Sequence, residues 1–125
     1  MGRDIQSVVP SPIFGPGVTA HFRVTVTNTA TDLEDLQAIP TINSTVKPTG
    51  LYLAVELGQT NSVYFTFDGQ STPAAALGFV VPTQPAAPAY IPFGRQGYQD
   101  GLVKLIAPAG NTYVQVKFDW DSSVG

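Results

Sequence analysis

The chain has no cysteine, a single histidine and a single tryptophan in 125 residues. Without cysteine there is no disulfide framework, no thiolate nucleophile and no Cys-based zinc or iron–sulfur site. A small domain without such staples is held by its core, or by burying surface against partners. Charge is scarce too: Asp, Glu, Lys and Arg make up 12% of the chain, about half the roughly 25% usual for soluble domains. The balance of 9 acids to 6 bases gives a net charge of −3, which excludes a basic nucleic-acid binder that works by neutralising phosphates. No apolar run approaches the roughly 18 residues that would read as a membrane span. Residues 1–17, MGRDIQSVVPSPIFGPG, are interrupted by Asp4, Gln6, Ser7 and Pro10, so the apolar centre of a secretory signal is not expected there. Asn43-Ser44-Thr45 is then a chance glycosylation sequon. What remains is 43% hydrophobic, enough for one core, which excludes intrinsic disorder, and the length excludes a multi-domain enzyme.

The hydrophobic pattern is that of strands. Residues 20–27, AHFRVTVT, set Phe22, Val24 and Val26 against His21, Arg23, Thr25 and Thr27, the period of two of a half-buried strand. Residues 51–57 set Leu51, Leu53, Val55 and Leu57 against Tyr52, Ala54 and Glu56, and 62–67 read as a further strand. Gly58-Gln59-Thr60-Asn61 between them reads as a hairpin-like connection. A short apolar run follows at Gly78–Val81, then LVKLI at 102–106 and TYVQVKFDW at 112–120, separated by the turn Ala107-Pro108-Ala109-Gly110-Asn111. Asp32 is placed to cap one helical turn. Two segments are rich in Pro and Gly. Residues 1–19 read as an extended arm, and 82–97, with prolines at 82, 85, 88 and 92, as a long irregular or polyproline loop. The expectation is an all-β chain: an arm (1–19), then one antiparallel β-sandwich domain (20–125), of jelly-roll or immunoglobulin-like arrangement.

No catalytic set stands out. Gly15-Pro16-Gly17-Val18-Thr19-Ala20 matches G-x-G-x-x-A in form, but a Pro-rich segment precedes it and a strand follows, the wrong context for a dinucleotide. His21 lies on the polar face of a strand, with no G-x-S-x-G elbow to supply a nucleophile. Asp32, Glu34 and Asp35, and the Asp119-Trp120-Asp121 end, lack the converging oxygens and Gly-containing loop of a calcium site. These residues read as a helix-capping cluster and a solvated chain end. Of thirteen aromatics, Tyr90, Tyr98 and Trp120 are the candidates for exposed stacking on a glycan, while the rest fill a core or an interface. The expectation is no enzyme, no metal and no cofactor. Scarce surface charge and two proline-rich segments point instead to burial in an assembly.

Val63-Tyr64-Phe65-Thr66-Phe67-Asp68-Gly69, with Thr72-Pro73, Leu77-Gly78-Phe79 and Ile91-Pro92-Phe93, resembles small β-sandwich structural proteins of tailed bacteriophages. Leu102–Pro108 and Val114-Gln115-Val116 continue the likeness, which spans roughly residues 50–118 as a pattern of strands and turns. The resemblance implies a virion component, foremost a head decoration (cement) protein on the capsid exterior, assembled in the host cytoplasm. It implies the major capsid protein as partner, self-association as dimer or trimer, and no contact with nucleic acid or membrane. On that reading Phe14, Tyr90, Ile91 and Phe93 are the apolar anchors, and Arg95, with Arg3, pairs with capsid acids. The alternative is a tail, neck or fibre-associated β-sandwich module that binds glycan.

Overall fold

A computed structural model describes residues 18–120. Eight strands and one short helix follow in order: β1 (His21–Val26), β2 (Thr31–Asp32), α1 (Leu33–Leu36), β3 (Gly50–Val55), β4 (Tyr64–Thr66), β5 (Phe79–Val80), β6 (Ala89–Pro92), β7 (Lys104–Ile106) and β8 (Thr112–Asp119). They form two four-stranded antiparallel sheets, β1-β8-β3-β6 and β2-β7-β4-β5. The chain is thus all-β, with a single four-residue helix among the described residues.

The pairing is nested. Strand β1 pairs with β8, β2 with β7, β3 with β6 and β4 with β5. Every connection between successive strands crosses from one sheet to the other except β4 to β5. The segment 58–61 is therefore not the turn of a hairpin, because β3 and β4 belong to different sheets. The same holds for 107–111: β7 and β8 do not pair. Turn-forming residues bend the chain whichever sheet it enters next, so turn chemistry alone could not separate a hairpin from a crossover.

Alternation worked where strands are half-buried. In β1, Val24 and Val26 are buried while His21, Arg23 and Thr25 are exposed. In β8, Val114, Val116 and Phe118 are buried between more exposed neighbours. These side chains join Leu51, Leu53, Val55 and Ile91 of the first sheet, and Val63, Phe65, Val103 and Leu105 of the second sheet and its flanks, in one buried cluster. Val18 and Ala20 already pack on that cluster; residues 1–17 of the expected arm lie outside the described residues. Leu57 departs from the pattern and is exposed. Strand β3 ends at Val55, and a turn closed by Gln59 N–H donating to the Glu56 carbonyl (3.2 Å) carries Leu57 off the sheet.

The proline-rich loop holds a strand. Strand β6 lies at the edge of its sheet, paired with β3 on one side only. An edge strand tolerates proline because half its amides face away from the ladder. The preceding residues extend the edge: Val55 N–H donates to the Pro82 carbonyl (2.8 Å) and Gln84 N–H to the Val55 carbonyl (2.9 Å).

Asp32 occupies the N-cap of α1 but caps nothing; its carboxylate accepts from Lys104 Nζ at 2.8 Å instead. The helix is fixed from outside, by Leu33 N–H donating to the Val103 carbonyl (2.9 Å) and by its neighbour Glu34, which accepts from Tyr98 Oη (2.5 Å) and Gly101 N–H (2.8 Å). Burial, then the bond to Glu34, pushes the Tyr98 hydroxyl well above the usual tyrosine range.

Phe118 sits fully buried at the centre of the cluster, edge-on to Phe22 at 6.0 Å. Phe118→Ala is expected to cost about 3–5 kcal/mol in chemical denaturation, and Leu57→Ala within ~0.5 kcal/mol of zero; comparable losses for the two would contradict this core.

Candidate functional site

Two surfaces stand apart from the ordinary polar exterior. The first is the free edge of the second sheet. Phe79 and Val80 of β5 are 62% and 57% exposed, Leu77 before them 53%, and Phe67 after β4 38%. The rings of Phe65, Phe67 and Phe79 form a triangle with centroids 5.8 to 6.0 Å apart, of which only Phe65 is buried. Beside them is an open cavity of about 310 Å³ walled by Phe67, Leu77 and Phe79, with Asp68 and Ser71 on its rim.

Local chemistry builds this edge. Gly78 has φ +130°, and a Cβ there would meet the Phe65 carbonyl oxygen at 2.9 Å, so only glycine lets β5 come down onto β4. The loop between them is closed by Ala74 N–H donating to the Leu77 carbonyl (2.8 Å). Asp68 organises its start: one carboxylate oxygen accepts from the Gln70 and Ser71 amides at 2.9 and 2.7 Å, the other from Ser71 Oγ at 2.6 Å. Those bonds, the Ser71 hydroxyl foremost, hold the Asp68 carboxyl down at about 2.

The four sheet edges differ in how they are defended. Strand β1 carries His21 and Arg23, β2 carries Asp32, and β6 has Pro92 within it and Pro88 before it. Charges and prolines are the usual devices that discourage an edge from pairing with another chain. Strand β5 has neither, and both of its side chains are exposed and apolar.

The second surface is on the outer face of the first sheet. The Tyr90 ring lies over Gly50, where a Cβ would run into it, and against Tyr52 with centroids 4.8 Å apart. Next to Tyr52 is a cavity of about 330 Å³ whose lining includes His21, Gln84, Gln115 and Lys117. A chain of hydrogen bonds runs beside it. Arg23 grips Glu56 with Nε and Nη2 at 2.6 and 2.7 Å, and its guanidinium stacks 3.9 Å from the Tyr113 ring centroid. The Arg23 bonds, aided by the Gln115 amide, hold the Glu56 carboxyl below its ordinary value. An ionised carboxylate only accepts, so the Gln115 side-chain nitrogen must face it (2.5 Å). Gln115 Oε1 is thereby turned to His21 Nε2 at 2.7 Å, which must carry the proton. In neutral His21 this leaves Nδ1 as a bare acceptor.

The residues expected at a partner interface scatter. Phe14 lies outside the described residues. Tyr90 is exposed, in the Tyr52 pair just described. Ile91, its neighbour, points the opposite way and is buried against the core. Phe93 is half-buried, edge-on to Tyr98 at 5.2 Å, and Arg95 is exposed in the turn between Gly94 and Gly97. Two of the three expected stacking platforms are corrected: Tyr98 and Trp120 are 2% exposed, their polar atoms bonded to Glu34 and to the Val46 carbonyl. Among the described residues no group of three or more His, Cys, Asp or Glu side chains could hold a metal, and no helix is long and apolar enough to cross a membrane. The β5 edge was missed as a surface. Its signal, the apolar run Gly78–Val81, does not distinguish an exposed edge from a buried strand. No family model, curated protein or solved structure matches the chain.

Two measurements check this geometry. Asp68 bonds stabilise the fold fully above the ordinary carboxylate value near 4 and lose their effect as pH falls through about 2. Asp68→Ala is therefore expected to be less stable than the parent at pH 7, with the gap closing toward pH 2; a gap independent of pH would contradict the assignment. Long-range 15N–1H spectra at a pH where His21 is neutral are expected to show its proton on Nε2 in the parent, and a tautomer mixture in Gln115→Leu.

Proposed function

We propose that this chain is a structural protein of a phage particle, a head decoration protein that bridges major capsid subunits on the shell exterior. In this reading the two sheets pack face to face as a β-sandwich, with residues 1–19 as an extended arm. The nested pairing supports the jelly roll over the immunoglobulin arrangement, since a long hairpin rolled on itself places β1-β8-β3-β6 opposite β2-β7-β4-β5. That fold serves capsid proteins and lectins alike, so by itself it supports the reading only as analogy.

The observation that carries the proposal is the undefended β5 edge. An apolar, proline-free and charge-free sheet edge is a hazard on a free protein and an asset in an assembly. Four exposed side chains make a patch of only a few hundred Å², well below the roughly 800 Å² per partner of a stable pairwise interface. Such a contact holds through repetition: each copy touches more than one neighbour, and a regular shell multiplies a modest affinity. Dimer or trimer formation would add to it. Scarce charge and absent cysteine agree with a surface largely covered in an assembly formed in the host cytoplasm. A second reading, a tail, neck or fibre-associated binding module, is favoured by the cavity beside Tyr52.

Quantitative mass spectrometry of purified particles tests both. A copy number comparable to the major capsid protein is expected, with Phe79→Ser folding normally but failing to incorporate. A handful of copies per particle would favour the second reading, and complete absence from particles would overturn both.

A further inference from the structure

We infer that Ile5-Gln6-Ser7-Val8-Val9 of the same chain pairs with β5 as a further antiparallel strand, covering its apolar edge until a shell neighbour displaces it. This rests on the docking edge proposed above and adds what holds that edge before assembly.

The chemistry of β5 calls for such a partner. Among the described strands β5 pairs with β4 alone, which leaves one side of its ladder open to a further strand. Its two side chains, Phe79 and Val80, point to opposite faces and are both exposed. A strand that covers them must therefore carry apolar residues on both of its own faces. Residues 5–9 do so: extended, they set Ile5 and Val9 on one face and Val8 on the other. Ile5, Val8 and Val9 are β-branched and none of the five is charged. Pro10 holds Val9 in the extended region and, lacking an N–H, ends the ladder after it. Ile5 and Val9 suit Phe79 and the cavity of about 310 Å³ that it walls with Phe67 and Leu77, and Val8 suits Val80.

The entry point of the chain favours its own edge. Ala107 N–H donates to the Thr27 carbonyl at 2.8 Å, which joins the end of β7 to the end of β1. The starts of these strands, Lys104 and His21, therefore lie together at the other end of the molecule. Lys104 pairs with Thr66 at the close of β4, so Phe67 and the cavity share that end with Val18. With the sheets face to face and β1 over β2, four strand spacings of about 4.8 Å and one sheet spacing of about 10 Å put the position beside β5 roughly 22 Å from β1. The nine residue steps from Val9 to Val18 reach about 30 Å when extended. Entering from that end, residues 9 back to 5 run from Phe79 toward Val80, which makes the pairing antiparallel.

A strand tethered so closely meets the edge at an effective concentration of about millimolar, so a contact too weak to hold two free molecules closes within one. A shell neighbour then finds β5 only in the fraction of molecules whose segment is released, and its apparent affinity falls by that fraction. The edge that is a hazard on a free protein is in this way opened at the shell.

The test uses the whole chain. Hydrogen exchange is expected to be slowed at alternate amides of residues 5–9 by about tenfold or more relative to an unstructured chain, at every protein concentration. In Phe79→Ser that protection is lost while β1 and β8 keep theirs. Exchange of residues 5–9 at the unstructured rate overturns the pairing. So does protection that grows with concentration, which assigns the segment to a second copy, and protection that persists in Phe79→Ser, which places it elsewhere. Val8→Asp, which releases the segment and leaves β5 intact, is expected to load onto particles lacking the protein at roughly tenfold lower concentration than the parent; equal loading overturns the displacement. Should neither load, the shell reading and the displacement fall together, while hydrogen exchange alone decides the pairing.

Discussion

Strand β8 is the constraint on which the first sheet depends. It is inserted between β1 and β3 and pairs with six residues of each, so no strand of that sheet but β6 is placed without it. Its inward side chains, Val114, Val116 and Phe118, are all fully buried. Its outward side chains, Tyr113, Gln115 and Lys117, each meet a different partner on the outer face: the Arg23 guanidinium, the Glu56 carboxylate and the Tyr52 ring. One strand thus sets the core with one set of residues and the polar surface with the other, the use that a period of two allows.

The second sheet is built differently. Its strands are two or three residues long, too short to hold by ladder bonds alone, and side-chain ties supplement them. Lys104 reaches Asp32 across the β2–β7 pair, and Tyr98 and Gly101 converge on Glu34 from the loop before β7. Two of the acids read as a capping group, Asp32 and Glu34, act as tertiary ties. At the far side no comparable tie covers β5 among the described residues, and of the aromatic triangle Phe65 is buried while Phe67 and Phe79 are exposed.

Much of the strand content was legible because strands with one dry and one wet face write a period of two into the sequence, as in His21–Val26 and Thr112–Asp119. Partner choice was not legible. Nested pairing joins residues as far apart as His21 and Lys117, and no local pattern records such a register. The proline-rich β6 was obscured for a related reason: proline forbids a strand only where its nitrogen must donate, and whether it must depends on which edge the strand occupies. For the sites, the adjacency of Tyr90 and Ile91 implied that one faces out and the other in. The burial of Tyr98 and Trp120 depended on loops whose course the sequence does not disclose.

Nested pairing also sets an order of events in time. As the chain emerges during synthesis, β4 and β5 are the first antiparallel partners to be complete, and the only ones joined by a connection within one sheet. The pairs β3–β6, β2–β7 and β1–β8 then close outward around them, each spanning a longer loop with a larger closure cost. The first sheet cannot close until Asp119 has left the ribosome. The strand pair that bears the bare apolar edge is therefore also the first whose two partners are both synthesised, before the strands that complete the rest of either sheet.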